Sequence, residues 1–243
     1  MALHTYSAQV ESLTNLTHDV RQLELRLSDP PSIDFKAGQF VSFELPNPET
    51  GRLVTRAYSI ASSPSRAGII TLLFNLVSGG PGSNFLYSLK VGDQTKFKGP
   101  AGHFTLHDDP GRELLFVATG TGIAPLRSML LANAERVEPR PATLIWGLRS
   151  QRDLYYQEEL AALAARQPAL TAIVTLSRPE PGWQGETGRV QRLVDERVAS
   201  VSNLAVYLCG NGGMIGDVIA VLQKKGLCPI YREKWYDAGK TDE

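Results

Sequence analysis

The sequence has few cysteines, no excess of charge of either sign and no long apolar run. Its 243 residues include two cysteines, Cys209 and Cys228, too few for the four thiolates of an iron–sulfur cluster. A chain of this length without a disulfide framework is typical of a reducing compartment. Lys and Arg together number 25, as do Asp and Glu. Because no basic cluster is present either, the sequence gives no indication of a nucleic-acid partner.

Features of a membrane or secreted protein are also absent. The first residues have neither a charged nor an apolar leader segment, and no apolar run approaches the roughly 18 residues of a membrane span. We therefore expect a cytoplasmic protein without membrane association, and a monomer by default. The four histidines have no metal-ligand spacing, so no metal site is predicted.

The first part of the chain has the pattern of a small antiparallel β-barrel. Short stretches with alternating apolar residues are separated by turn signals such as Asp29-Pro30-Pro31 and Val91-Gly92-Asp93. The predicted strands are 6–13, 20–27, 40–45, 54–60, 69–77 and 95–98, and a short helix is predicted at Phe85 to Leu89.

The pattern changes near residue 110, after the turn-forming Asp108-Asp109-Pro110-Gly111. Apolar strands then alternate with helices, which predicts a parallel sheet covered on both faces. The predicted strands are 113–118, 142–146, 172–176 and 205–208, and the helices are 123–134, 155–165, 189–196 and 214–225. The chain is thus expected to form two domains, an antiparallel β-barrel over 1–109 and an α/β domain over 110–243.

A glycine-rich segment, Gly120-Thr121-Gly122-Ile123-Ala124-Pro125, connects the first predicted strand of the second domain to a helix. Glycines let backbone N–H groups approach a phosphate, and the positive end of the helix favours the anion. Two glycines in such a turn also occur for steric reasons alone. The apolar strand before the segment favours phosphate binding.

Two further motifs give the sequence a specific resemblance. They are Arg56-Ala57-Tyr58-Ser59 and Cys209-Gly210-Asn211-Gly212-Gly213-Met214. The chain resembles the ferredoxin-NADP reductase family, in which R-x-Y-S binds flavin, T-G-T-G-I-A-P binds the nicotinamide dinucleotide and C-G-x-x-x-M lies beside the nicotinamide. The three motifs stand in the family's order and cover nearly the whole chain.

The resemblance implies a flavin site in the first domain. Arg56 would hold the flavin phosphate, Tyr58 would pack on the isoalloxazine ring, and Ser59 would hydrogen-bond near N5. Backbone amides of a glycine-rich turn at Gly82 would bind a pyrophosphate, which favours FAD over FMN. The strand around Phe74 would contribute mainly backbone contacts. The expected FAD-binding residues are Arg56, Ala57, Tyr58, Ser59, Phe74, Asn75, Leu76, Val77, Gly82, Ser83, Asn84 and Trp235.

The resemblance also implies a nicotinamide dinucleotide site in the second domain. Ser177 and Arg178 match a pair that contacts the 2′-phosphate in NADP-preferring relatives, although some NADH-dependent oxygenase reductases carry a similar segment. The expected NADP-binding residues are Thr119, Gly120, Thr121, Gly122, Pro125, Arg149, Ser177, Arg178, Cys209, Gly210 and Met214.

The end of the chain and the catalytic residues complete what the resemblance implies. Trp235 would stack on the flavin, unless it or Tyr236 is a packing aromatic. The expected catalytic residues are Ser59, Cys209 and Glu233.

The resemblance therefore implies a flavoenzyme with FAD and NADP as cofactors. It would transfer hydride between NADP(H) and FAD and exchange single electrons with a ferredoxin or flavodoxin. One alternative is an NADH-dependent reductase component whose partner is an oxygenase component. Another is a non-catalytic FAD-binding electron-transfer subunit of a larger complex.

Overall fold

A computed structural model describes residues 3–47, 50–109 and 111–234. Contacts divide these residues into two compact units. The first holds the residues up to Leu106 together with Arg127–Ala132, and the second holds His107–Leu126 and the residues from Asn133 onward. The assignment of the two cofactor-binding functions to 1–109 and 110–243 stays a prediction.

The first unit is a six-stranded antiparallel sheet that forms a half-barrel, with strand order β4-β3-β6-β1-β2-β5. Alternate residues point into its core, as a period of two requires, so Leu23, Leu25 and Leu27 are buried while Arg26 is exposed. The strands are β1 His4–Asn15, β2 Val20–Asp29, β3 Phe40–Pro46, β4 Leu53–Ser59, β5 Ile69–Asn75 and β6 Gln94–Ala101.

One helix, α1 (Pro81–Ser88), lies between β5 and β6. It begins four residues before the predicted helix because Pro81 suits a first helical position, where a missing N–H costs nothing. Arg21 stabilises the other end of α1. Its guanidinium donates to the Tyr87 carbonyl over 2.9 Å and lies 3.6 Å from the centre of the Tyr87 ring.

The second unit is a six-stranded sheet with order β10-β9-β8-β7-β11-β12 and parallel pairing throughout. The inner strands β7 and β11 are buried almost from end to end, as parallel strands are. The strands are β7 Glu113–Thr119, β8 Ala142–Leu148, β9 Leu170–Leu176, β10 Glu186–Thr187, β11 Leu204–Gly210 and β12 Ile230–Lys234; the helices are α2 Ile123–Ala134, α3 Gln157–Arg166, α4 Val190–Arg197 and α5 Gly212–Lys225. The predicted fold class is confirmed.

Helix ends differ from the predicted ones where a single residue decides them. Helix α3 begins at Gln157, since Tyr156 has a φ of 56° and cannot be helical. Helix α5 begins two residues before the predicted helix because Asn211 caps it, its side-chain oxygen accepting from the N–H groups of Gly213 and Met214. Among the described residues, no helix has the length and apolar character needed to cross a membrane.

Candidate functional site

The strand order of the second unit reverses at β7, which has β8 on one side and β11 on the other. Open α/β sheets bind ligands at the carboxyl ends of strands where the order reverses. Gly120–Gly122 forms a tight turn at the end of β7 and leads into α2, with Pro125 in the first helical turn. Gly120 has a φ of 53°, which glycine adopts without strain. The turn therefore has the position and the backbone conformation expected of a phosphate-binding loop.

Close backbone approach explains the next two motif glycines. A Cβ atom at Gly122 would lie 2.5 Å from the carbonyl oxygen of Cys209, and one at Gly210 would collide with the Thr119 hydroxyl. The Thr119 hydroxyl in turn accepts a hydrogen bond from the Asn211 N–H over 3.2 Å. The structure thus brings Thr119, Gly122, Cys209 and Gly210 together at the ends of β7 and β11.

The sequence reasoning missed Trp146 on β8. Its indole N–H donates to the Gly120 carbonyl over 2.9 Å, and the side chain is fully buried. A buried indole N–H needs an acceptor, and here that acceptor belongs to the glycine-rich turn Gly120–Gly122. The only sequence signal is a tryptophan at the end of an aliphatic strand.

Replacing Trp146 with phenylalanine should raise the KM for the dinucleotide by about fivefold, because the Gly120 turn loses one hydrogen bond while most of the apolar volume is kept. Steady-state kinetics would measure this change. FAD content should stay equal to that of the wild type, and an unchanged KM would contradict the role given to Trp146.

Cys209 and Glu233 are neighbours across β11 and β12, where the register pairs them directly. Tyr231 stacks on Tyr207 with ring centres 4.9 Å apart, which anchors β12 two residues before Glu233. Cys209 is buried and Glu233 is half-buried. A thiol and a carboxyl group are therefore adjacent at the strand ends next to the glycine-rich turn. Met214 lies in the first turn of α5, and a Cβ atom at Gly210 would lie 3.2 Å from its Cε.

The carboxyl ends of β8 and β9 carry the candidate 2′-phosphate residues. The Ser177 N–H donates to the Leu148 carbonyl over 3.0 Å, and the Arg178 N–H donates to the Arg149 carbonyl over 2.7 Å. Both arginines are exposed, and within 3–47, 50–109 and 111–234 no carboxylate pairs with either. Two exposed arginines whose backbones are joined in this way, and that lack an acidic partner among these residues, favour an anion.

The first unit brings Arg56, Tyr58 and Gly82 into contact. A Cβ atom at Gly82 would lie 2.5 Å from the Tyr58 hydroxyl and 2.8 Å from Cγ of Arg56, so a larger residue in this first turn of α1 would displace those side chains. The Arg56 guanidinium donates to the Thr55 carbonyl over 2.9 Å and has no carboxylate partner in the described part of the chain. Ser59, buried at the end of β4, pairs with Phe40 of β3.

The start of α1 can bind a phosphate through its backbone. Helix geometry leaves the N–H groups of Gly82 and Ser83 without intrahelical acceptors, and no side chain in the described part of the sequence caps the helix. The Ser83 hydroxyl is used within the loop, since it accepts from the Val77 N–H over 3.0 Å. The amides, rather than this hydroxyl, therefore remain for an anion, and Arg56 beside them completes a set of donors that fits a pyrophosphate. Asn84 is exposed in the same turn.

Other residues of the expected flavin site differ in what they expose. Phe74 is buried, so it offers only its backbone, whereas Leu76 and Val77 are exposed and follow the end of β5. The Asn75 side chain donates to Asp19 over 3.2 Å. Ala57 is exposed on β4. Trp235 lies outside the described residues.

Tyr58 is held by edge-to-face contacts with Phe43 and Phe74, with ring centres 5.9 and 6.3 Å away. Burial raises the pKa of its hydroxyl from the ordinary 10.0 to about 12, and the positive charge of Arg56 only partly offsets this. Tyr58 therefore remains a neutral hydrogen-bond donor throughout the physiological range.

The raised pKa of Tyr58 should make stability fall at alkaline pH. The unfolded chain loses the Tyr58 proton near pH 10 while the folded chain keeps it to about pH 12, so this stabilising contribution is present below pH 10 and lost between these values. Between pH 10 and 12 the free energy of unfolding should fall with pH less steeply in Tyr58→Phe than in the wild type. The two slopes should differ by up to about 1 kcal/mol per pH unit. Urea unfolding at several alkaline pH values would measure both slopes. Equal slopes would contradict the assignment.

Comparisons with known proteins identify the same two domains. The family model for the oxidoreductase FAD-binding domain matches residues 7–106, and that for the oxidoreductase NAD-binding domain matches 116–219. A ferredoxin–NADP reductase B of Sorangium cellulosum (strain So ce56) is 37% identical over 218 residues, covering 86% of this chain and 88% of that protein. The reductase component of a phenol 2-monooxygenase from Pseudomonas sp. (strain CF600) is 34% identical over 239 residues, covering 96% of this chain and 66% of that protein.

A solved structure, the Amycolatopsis cytochrome P450 reductase, superposes with a TM-score of 0.84 at 28% identity, covering 96% of this chain and 70% of that one. The fold and the matched domains define a flavoenzyme oxidoreductase that binds FAD and a nicotinamide dinucleotide. Within this class, the chain belongs to the ferredoxin–NADP reductase family.

Proposed function

We propose that this protein oxidises NADPH through FAD and passes the electrons singly to a ferredoxin or flavodoxin. The observation that carries the choice of NADPH is that Arg149 and Arg178, beside Ser177 at the ends of β8 and β9, have no carboxylate partner among the described residues. A 2′-phosphate is a dianion that two guanidinium groups and a hydroxyl can bind, whereas NADH offers no charge at this position.

The bound flavin supplies the hydride and single-electron chemistry, and the protein supplies binding and orientation. Arg56 and the amides of Gly82 and Ser83 hold the pyrophosphate. Tyr58 packs against the isoalloxazine ring. Its pKa of about 12 keeps the hydroxyl neutral, so it acts as a hydrogen-bond donor. In this proposal Ser59 hydrogen-bonds near flavin N5.

On the dinucleotide side, the Gly120 turn binds phosphate and Cys209 lies beside the nicotinamide. Glu233, next to Cys209 across the strands, holds or relays a proton. The cytoplasm as compartment and the monomer as oligomeric state remain part of this proposal.

A comparison of electron acceptors tests the proposed partner. The FAD-loaded protein would be assayed with NADPH and with ferredoxin, flavodoxin or an oxygenase component in turn. We expect the highest kcat/KM with ferredoxin or flavodoxin. A clear preference for the oxygenase component would contradict the proposed partner without affecting the assignment of the cofactors.

A second candidate function is that of an NADH-dependent reductase component of an oxygenase system. The similarity to the phenol 2-monooxygenase reductase component favours it, although the chain spans 66% of that relative. A higher kcat/KM with NADH than with NADPH would support this candidate. A protein that binds FAD without being reduced by either dinucleotide would instead be a non-catalytic electron-transfer subunit.

A further inference from the structure

Two loops at the carboxyl ends of β8 and β9 are joined by more than the two backbone hydrogen bonds of Ser177 and Arg178. The side chain of Gln151 makes two further bonds to the backbone of Glu180. Its amide nitrogen donates to the Glu180 carbonyl over 2.8 Å, and its amide oxygen accepts from the Glu180 N–H over 2.8 Å. A carboxamide that both donates to and accepts from one residue fixes that backbone unit as a neighbouring strand would.

Gln151 is itself held in place. It lies in a short 3₁₀ turn, Gln151–Asp153, that begins with a capping box. A single oxygen of the Asp153 carboxylate accepts from the Ser150 N–H over 2.8 Å and from the Ser150 hydroxyl over 2.7 Å. The turn therefore presents the Gln151 carboxamide in a fixed position relative to Arg149, which immediately precedes Ser150.

These bonds constrain Arg178 from both sides. The Arg178 N–H is bonded to the Arg149 carbonyl, and two residues later Glu180 is bonded to Gln151. Between them, Pro179 has a φ fixed by its ring. The backbone of Arg178 is thus anchored beside Arg149, and mainly side-chain rotamers remain to be ordered when an anion binds. Because the backbone is already ordered, binding the anion costs less conformational entropy.

We propose that Gln151 is a positioning residue for dinucleotide selectivity, holding Arg178 next to Arg149 so that both guanidinium groups reach one 2′-phosphate. This inference rests on the proposed preference for NADPH. Gln151 acts through Arg178 and is not expected to touch the dinucleotide itself.

Calorimetric titration of the FAD-loaded protein with 2′,5′-ADP and with 5′-AMP tests the proposal, because the two probes differ at the 2′ position and both carry a 5′-phosphate. Gln151→Ala should weaken 2′,5′-ADP about tenfold while 5′-AMP changes less than about twofold. The matched control is Gln184→Ala, an exposed glutamine of the same loop whose amide nitrogen donates to the nearby Gly182 carbonyl, and its two affinities should equal those of the wild type.

A second variant guards against a misfolded first one. Gln151→Glu keeps the acceptor for the Glu180 N–H, loses the donor and adds negative charge, so it should weaken 2′,5′-ADP more than Gln151→Ala does. In steady-state assays with varied NADPH, both variants should keep the wild-type kcat, and their KM for NADPH should rise. A general loss of folding would lower kcat as well.

The outcomes separate this inference from the proposed function. Equal weakening of both probes, or no weakening of either, would overturn the role given to Gln151. A wild-type protein that binds 2′,5′-ADP no more tightly than 5′-AMP would instead overturn the preference for NADPH, and the inference with it.

Discussion

Replacing Arg178 with alanine should lower kcat/KM for NADPH by about 50-fold and for NADH by less than about threefold. Arg178 is exposed, has no carboxylate partner within the described ranges, and is anchored by its N–H beside Arg149. Its removal leaves one guanidinium for the 2′-phosphate, and NADH has no group there to lose. Initial rates with each dinucleotide and ferricyanide as acceptor would give the ratio.

Arg166→Ala is the matched control for this prediction. Arg166 is an exposed arginine at the end of α3, before the amino end of β9, and so belongs to the edge of the sheet opposite the strand ends that carry Arg178. Its replacement should leave both kcat/KM values within about twofold of the wild type, which is the usual scale for an exposed side chain. Equal losses with NADPH and NADH in Arg178→Ala would refute the 2′-phosphate site.

Replacing Arg56 with alanine should weaken FAD binding about 100-fold, so that the variant is purified largely colourless. The Cβ and Cγ atoms of Arg56 lie against Gly82 in the first turn of α1, where the amides of Gly82 and Ser83 are free of intrahelical acceptors. A charge-assisted hydrogen bond to phosphate at this place has no substitute among the neighbouring side chains described above. Fluorescence titration of the apoprotein with FAD would measure the change.

Arg52→Ala provides the control for Arg56. Arg52 is exposed and precedes the same strand, β4, but the atoms nearest a Cβ at Gly82 belong to Tyr58 and Arg56 and not to Arg52. It should retain the wild-type affinity for FAD, and its melting temperature would show the effect of removing a charge from this region. If Arg56→Ala bound FAD as tightly as Arg52→Ala, the assignment of Arg56 as a ligand of the flavin phosphate would be wrong.

Much of the fold could be predicted because local pattern and tertiary role coincide. Helix α2 has the predicted bounds, since glycines and Pro125 mark its start after an apolar strand. The two-residue strand β10 could not be found. Its residues, Glu186 and Thr187, are polar, and the strand exists only because they pair with Thr175 and Leu176 of β9. Strand β5 ends at Asn75, two residues before the predicted end.

Some residues of the candidate site could likewise be predicted from the sequence and others could not. Motif residues such as Arg56, Gly122 and Cys209 are recognisable from the sequence because their chemistry depends on local backbone and residue type. Trp146 and Gln151 were not, since each acts through a hydrogen bond to a loop that is distant in the sequence: Trp146 to Gly120 and Gln151 to Glu180. A tryptophan in a strand and a glutamine in a turn carry no signal of such a partner.

The central claim is that this chain is an NADPH-dependent flavoenzyme, and anaerobic stopped-flow reduction of the purified protein tests it most directly. The flavin absorbance should bleach at least about tenfold faster with NADPH than with NADH at equal subsaturating concentrations. NADH lacks the 2′-phosphate and should therefore bind more weakly. A protein that bleaches faster with NADH, or with neither dinucleotide, would contradict the claim.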